Sequence, residues 1–144
     1  MAIPNRRVKR FVEDLDTRIS VGLDFPVARQ AGDQMGYFAT TKTTMDAIKN
    51  DIKLLLTTER GERLFQPFLG MNIRRFLFEQ ITDDTAIEIE NDIVDTIQTW
   101  LPFVQLQDIE VDLGDQDRNS IKINVTFNIQ NAPTELQSVG VVLE

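Results

Sequence analysis

Residues 121–130 alternate strictly between two kinds of side chain. Ile121, Ile123, Val125, Phe127 and Ile129 fall on one parity, and Lys122, Asn124, Thr126, Asn128 and Gln130 on the other. A period of two sends successive side chains to opposite faces of a strand, so this segment must bury one face and leave the other in solvent. An isolated strand cannot do so. The preceding stretch, 103–113, supplies a partner: Val104 and Leu106 keep one phase, while Ile109, Val111 and Leu113 keep the other. Gly114-Asp115-Gln116-Asp117-Arg118-Asn119 joins the two runs, which predicts an antiparallel hairpin, and the slip near Gln107-Asp108 predicts a bulge. Beyond Asn131-Ala132-Pro133-Thr134, residues 136–143 read either as a third strand or as a tail.

The hairpin's apolar face needs a cover, and the middle of the chain repeats at 3.6. Met45, Ile48, Ile52, Leu55 and Leu56 predict a helix over 44–57, with Thr43 or Thr44 as its cap and Asp46 in its electropositive first turn. Ile73, Phe76 and Leu77, opposite Arg74 and Arg75, predict a short helix over 72–80. A longer one over 83–100 starts at Thr82 or Asp83, carries Ala86, Glu90, Ile93, Ile97 and Trp100 along one side, and stops at Pro102. Trp100 reads as core. Between the first two helices, Glu59-Arg60-Gly61-Glu62 is a polar turn, Leu64-Phe65-Gln66-Pro67 reads as extended, and Gly70 closes the segment.

Residues 1–43 read as an arm with short extended pieces at 21–26 and 36–40 and a strand or turn at 11–16; residues 44–144 read as one domain. The predicted class is α+β, with three helices packed on a small antiparallel sheet formed largely by the C-terminal third.

Composition narrows the chemistry. The 144 residues contain no Cys and no His, which removes thiol nucleophiles, disulfides, Cys/His zinc sites and His-based acid–base catalysis. Fifteen Lys and Arg against 23 Asp and Glu give a net charge of −8, the wrong sign for a protein that tracks phosphates. No apolar run approaches the ~20 residues that span a bilayer, and the first residues lack the pattern of a signal peptide. The expectation is a soluble intracellular protein with neither nucleic-acid nor membrane partners. Carboxylate pairs are the only catalytic raw material, with Glu59, Glu62 and Glu79 nearest to turns; nothing sets them apart from acids that meet by chance. Gly61 and Gly70 fit no phosphate loop, and Asp108, Glu110, Asp112, Asp115 and Asp117 lack the calcium-loop order. No catalytic residue, cofactor or metal is therefore expected.

Charge is distributed unevenly. Arg6, Arg7, Lys9 and Arg10 make the N-terminus basic, whereas twelve acids and no Lys or Arg lie between Arg75 and Arg118. A solvated face with a free arm, or complementarity with neighbouring subunits, would each produce this pattern. A small sheet also has edges, which must be covered or used for strand addition. The polar face of 121–130 carries one charge, Lys122, and does little to repel an incoming strand. An assembly component fits these features best.

One stretch is more specific. Leu54-Leu55-Leu56-Thr57-Thr58-Glu59-Arg60-Gly61-Glu62-Arg63-Leu64-Phe65-Gln66-Pro67-Phe68-Leu69-Gly70 resembles the signature of the baseplate wedge and sheath-initiator family of contractile-tailed bacteriophages. The likeness continues in register through Leu77-Phe78-Glu79, Thr85-Ala86 and Ile89-Glu90-Asn91-Asp92-Ile93, with a weaker echo at Asp14-Leu15-Asp16. Where that family often has Glu-Pro-Arg, this chain has Leu101, Pro102 and Phe103.

The resemblance implies structural work in a virion tail baseplate: binding the helical core bundle of the wedge, and templating the first sheath ring by accepting strands from sheath subunits. The partners it implies are wedge core-bundle proteins and the tail sheath protein, with the tail tube, another initiator or nothing beside the basic arm. Leu101, Pro102 and Phe103 would face the wedge through an apolar rather than a salt-bridged contact. The strand Ile121, Lys122, Ile123, Asn124, Val125, Thr126, Phe127, Asn128 and Ile129 would belong to the strand-accepting sheet. Gly61, Arg63, Phe65, Pro67 and Gly70 read as fold determinants, with partner contact by Arg60 or Arg63 as the alternative. Relatives of this family include anti-adapter proteins that block regulated proteolysis, which supplies a second functional reading.

Overall fold

The computed structural model describes residues 11, 13–16, 18–29, 38–78, 82–113, 120–130 and 132–143. The chain divides into two compact units, Met1–Asn50 and Asp51–Glu144, and the division falls inside a helix.

In the first unit, a short 3-10 turn (Glu13–Leu15) precedes two short antiparallel strands, β1 (Gly22–Leu23) and β2 (Thr40–Thr41). They agree with the extended pieces expected at 21–26 and 36–40, although Gly36 and Tyr37 lie outside the described residues. Helix α1 (Thr44–Thr57) then begins. Its start is held twice. Thr43 Oγ1 accepts from the Asp46 amide at 3.2 Å, as the sequence suggests, and the carboxylate of Asp14 accepts from the amide and hydroxyl of Thr44 at 2.7 and 2.9 Å. Asp14 stands thirty residues upstream, so no local pattern pointed to it. The buried Asn50 donates from Nδ2 to the Leu23 carbonyl and the Asp24 carboxylate, both at 3.2 Å, which satisfies its amide.

The second unit holds the larger core. From the last turns of α1, Ile52, Leu55 and Leu56 are buried; so are Ile73 and Phe76 of α2 (Ile73–Phe76), and Ile89, Ile93 and Ile97 of α3 (Asp83–Trp100). Helix α2 is shorter than the expected 72–80. Asn72 gives it no side-chain cap, and the chain leaves it through tighter bonds from the Leu77 and Phe78 amides to the carbonyls of Arg74 and Arg75. Helix α3 matches its expected bounds. Thr82 is extended and its hydroxyl accepts from the Thr85 amide, while the Thr82 amide donates in turn to the Thr85 hydroxyl. Removing this box by Thr82→Ala should cost about 1 kcal/mol and lower the thermal midpoint by a few degrees in a melting experiment.

The sheet runs β3 (Val104–Asp112), β4 (Ile121–Ile129) and β5 (Ala132–Leu143), all antiparallel, in the order β3-β4-β5. The slip expected near Gln107 is present: the register shifts between Leu106 and Asp108. The connecting residues 114–119 lie outside the described residues. Ile121, Ile123, Val125, Phe127 and Ile129 are buried, as alternation requires, and Val139, Val141 and Leu143 of β5 extend the same face. Residues 136–143 are thus a strand rather than a tail. Asn128, on the parity read as solvent-facing, is also buried; Gln107 donates to its side-chain oxygen at 3.4 Å.

Candidate assembly surfaces

Three features of the second unit are candidates for contact with a partner. The first is the segment between α1 and α2. The Met71 amide donates to the Thr58 carbonyl at 2.9 Å and the Gly61 amide to the Pro67 carbonyl at 2.8 Å, so a twelve-residue excursion closes on itself as an Ω-like loop. Gly61 and Gly70 take φ of +92° and +102°, which side-chain-bearing residues adopt at a cost. Amides of Glu62, Gln66 and Leu69 bond to carbonyls three residues back, and the Glu59 amide donates to the Glu62 carboxylate at 3.1 Å. Residues 64–67 therefore form turns, not the extended run expected. Proline constrains only its predecessor, Gln66, and leaves Leu64 and Phe65 able to follow the reversal that starts at Gly61.

Arg60 fastens the loop to its surroundings. Its Nε donates to the Gly70 carbonyl at 3.2 Å and its guanidinium stands 3.8 Å from Asp92 on α3, while Glu59 sits 3.5 Å from Arg74 on α2. These roles absorb Glu59 and Glu62, two of the three carboxylates weighed as catalytic; Glu79 lies outside the described residues. The apolar side chains of the loop do not turn inward. Leu64 is 93% exposed, Phe65 98% and Phe68 80%. Phe65, read as a fold determinant, buries nothing, because the turn at 63–66 points it into solvent.

The second feature is the junction from α3 to β3. The Leu101 amide closes α3 on the Ile97 carbonyl at 2.8 Å, and the Val104 amide bonds to the Leu101 carbonyl at 2.9 Å, so Leu101, Pro102 and Phe103 form a tight corner. Pro102 and Phe103 are exposed. Leu101 lines a small pocket of about 170 Å³ with Trp100, Leu54, Leu55, Leu69, Arg63 and Asp51. Trp100, read as core, is half-buried at this rim. Desolvation pushes the Asp51 carboxyl above its ordinary value.

The third feature is the pair of sheet edges. Strand β4 is central and bonded to β3 and β5 along its length, so its backbone is committed within the chain. Among the described strands of this sheet β3 and β5 hold the outer edges, and Ile121, Lys122, Ile123, Asn124, Val125, Thr126, Phe127, Asn128 and Ile129 lie between them, within the sheet expected to accept strands. Strand β3 is bulged, carries Asp108, Glu110 and Asp112, and packs against α3. Over 135–143, β5 carries one charge, Glu135, and exposes Leu136 and Val142.

A family model described as baseplate wedge protein gp25 matches residues 42–134, a span that includes the loop, the corner and most of the sheet. The chain belongs to that family. It is 21% identical over 136 residues to baseplate wedge protein gp25 of Enterobacteria phage T4, covering 94% of this chain and 93% of the relative. Among solved structures, a putative tail lysozyme from Geobacter sulfurreducens superposes with a TM-score of 0.60 at 22% identity, over 71% of this chain and 93% of that one. A chain of the anti-feeding prophage baseplate gives a TM-score of 0.55 at 24% identity, over 83% and 81%. The gp25-family chain is thus a structural component of a virion tail baseplate, with the α+β fold expected for it. The fold likeness to a protein titled a lysozyme concerns the fold alone.

Proposed function

We propose that this gp25-family protein is a non-enzymatic sheath initiator: residues 44–144 bind the wedge core and offer the outer edge of β5 to extended arms of sheath subunits, with residues 1–43 as an accessory arm. The observation that carries the reading is the contrast between the two sheet edges. Native edges are guarded by charge, bulges or a covering helix. Both edge strands carry a register shift, but β3 adds three carboxylates and a helix beside it, whereas β5 shows Leu136, Ser138 and Val142 to solvent and one carboxylate, Glu135. Main-chain bonds along such an edge give affinity, and alternate side chains give register. The corner at Leu101, Pro102 and Phe103, with the apolar pocket beside it, supports an apolar contact with the wedge.

The test is negative-stain microscopy of particles made with this gene silenced. Naked tubes on baseplates, or baseplates alone, are the expected result. Normal sheathed particles would overturn the reading and favour an anti-adapter role, to be followed by a binding screen against proteolysis components.

A further inference from the structure

We infer that the cleft between α3 and the outer edge of β3 receives the basic segment Asn5-Arg6-Arg7-Val8-Lys9-Arg10 of a second copy of this chain. The contact does not rest on the sheath-initiator reading, which concerns the other edge of the sheet.

The cleft has a volume of about 680 Å³. Residues 104–109 line it without a gap, both parities in succession, so this wall is the edge of β3 rather than one of its faces. Among the described strands none pairs with that edge, which leaves backbone groups for an extended segment. The opposite wall is α3, which contributes Glu90, Val94 and Gln98 at intervals of four residues, one above another on the same face. The corner at 101–103 turns the chain back along the helix, so Gln98 and Val104 share one end of the cleft, and Glu90 and Asp108 the other. Neither of these two carboxylates has an ion-pair partner among the described residues, whereas Glu88 and Asp92 on the same helix are engaged by Arg75 and Arg60.

Charge and spacing choose the occupant. Both walls belong to the stretch between Arg75 and Arg118 that holds no Lys or Arg, so neither neutralises the cleft. The densest run of cations in the chain is 6–10, where Arg6, Arg7, Lys9 and Arg10 stand with no acid among them. In an extended segment Arg6, Val8 and Arg10 point the same way and span about 13 Å. Glu90 to Gln98 covers about 12 Å of helix. Three side chains of the arm thus keep step with three of the cleft: one guanidinium meets Glu90 and Asp108, Val8 meets Val94, and the other guanidinium meets the Gln98 amide oxygen. The pattern of arginine, valine and arginine at alternate positions reads the same both ways, so the match holds in either chain direction. Carboxylates that turn other strands from this edge thereby select a basic one. Of the two readings left by the uneven charge, complementarity between neighbouring subunits is the one this cleft supports. Arm and cleft are different surfaces, so each copy both gives and receives, a heterologous contact that links copies head to tail.

The experiment is sedimentation velocity of the full-length chain over a series of concentrations up to about 500 µM in roughly 50 mM salt. Wild type should associate into species larger than dimers, and roughly 300 mM salt should weaken this association by about tenfold or more, because exposed charges are screened. The variant Arg6→Glu/Arg7→Glu/Lys9→Glu/Arg10→Glu should be monomeric. So should Glu90→Lys/Asp108→Lys, whose melting temperature checks its fold; if it melts early, Glu90→Gln/Asp108→Asn takes its place. Mixed, the arm variant and the cleft variant should form a one-to-one dimer and nothing larger, since one keeps only the cleft and the other only the arm. Wild type that stays monomeric at every concentration would overturn the proposal, as would variants that ignore each other on mixing. Association that survives the arm variant would put it on another surface, and association lost in the arm variant but kept in the cleft variant would exclude this cleft as the receptor; either result overturns the assignment.

Discussion

Gly70→Ala is expected to be among the most destabilising single substitutions in the second unit, lowering stability by about 3 kcal/mol or more and the melting temperature by roughly 10 °C or more. Two costs combine. At φ of +102° any L side chain is strained, and a Cβ built there would lie 2.2 Å from the carbonyl oxygen of Thr58. That oxygen is not the end of a flexible side chain; it is backbone, and it already accepts from the Met71 amide that closes the loop. Making room therefore breaks the tie between the end of α1 and the start of α2. Gly61→Ala is the control, because its φ of +92° carries the same conformational penalty while a Cβ there meets nothing within 4 Å. It should cost about 1 kcal/mol. Melting curves of the two variants decide the matter: equal shifts would mean that the approach to Thr58 does not govern the loop.

This comparison also shows how far the sequence could be read. The strands of the second unit and the longer helices were legible because each buries one face, and burial imposes a period: 121–130 at two, 44–57 and 83–100 at 3.6. Less periodic features were harder. The loop at 58–71 was recognisable as a motif, yet its turns, its outward aromatic side chains and the different roles of its two positive-φ glycines depend on which carbonyl each backbone approaches. Asp14 as a cap for α1 is a contact across thirty residues and leaves no local trace. The position of β4 in the middle of the sheet depended on whether 136–143 pairs, which alternation at Val139, Val141 and Leu143 permitted but did not require. The corner at Leu101, Pro102 and Phe103 stands out in the sequence only as a departure from a family pattern. The exposed loop side chains were missed because an apolar residue in a sequence carries no sign of whether it will be buried.

Guarding the outer edge of β5 should remove sheath while leaving the protein folded and incorporated. The double variant Leu136→Lys/Val142→Glu places a charge at two exposed apolar positions of that strand. Val142 stands opposite Lys122 in the ladder, so glutamate there gains a favourable cross-strand partner instead of a like charge. The fold should hold, with a melting temperature within a few degrees of wild type, because neither side chain contributes to the core. An arriving strand, by contrast, would have to desolvate both charges against its own backbone and side chains, which is how natural edges refuse partners. In particles complemented with this variant, baseplates should still contain the protein, and tubes should lack an ordered first sheath ring. The paired readout separates the two possible failures: loss of the protein from baseplates would place residues 136–142 in the wedge contact, and normal sheaths on baseplates that contain the variant would exclude the β5 edge as the strand acceptor.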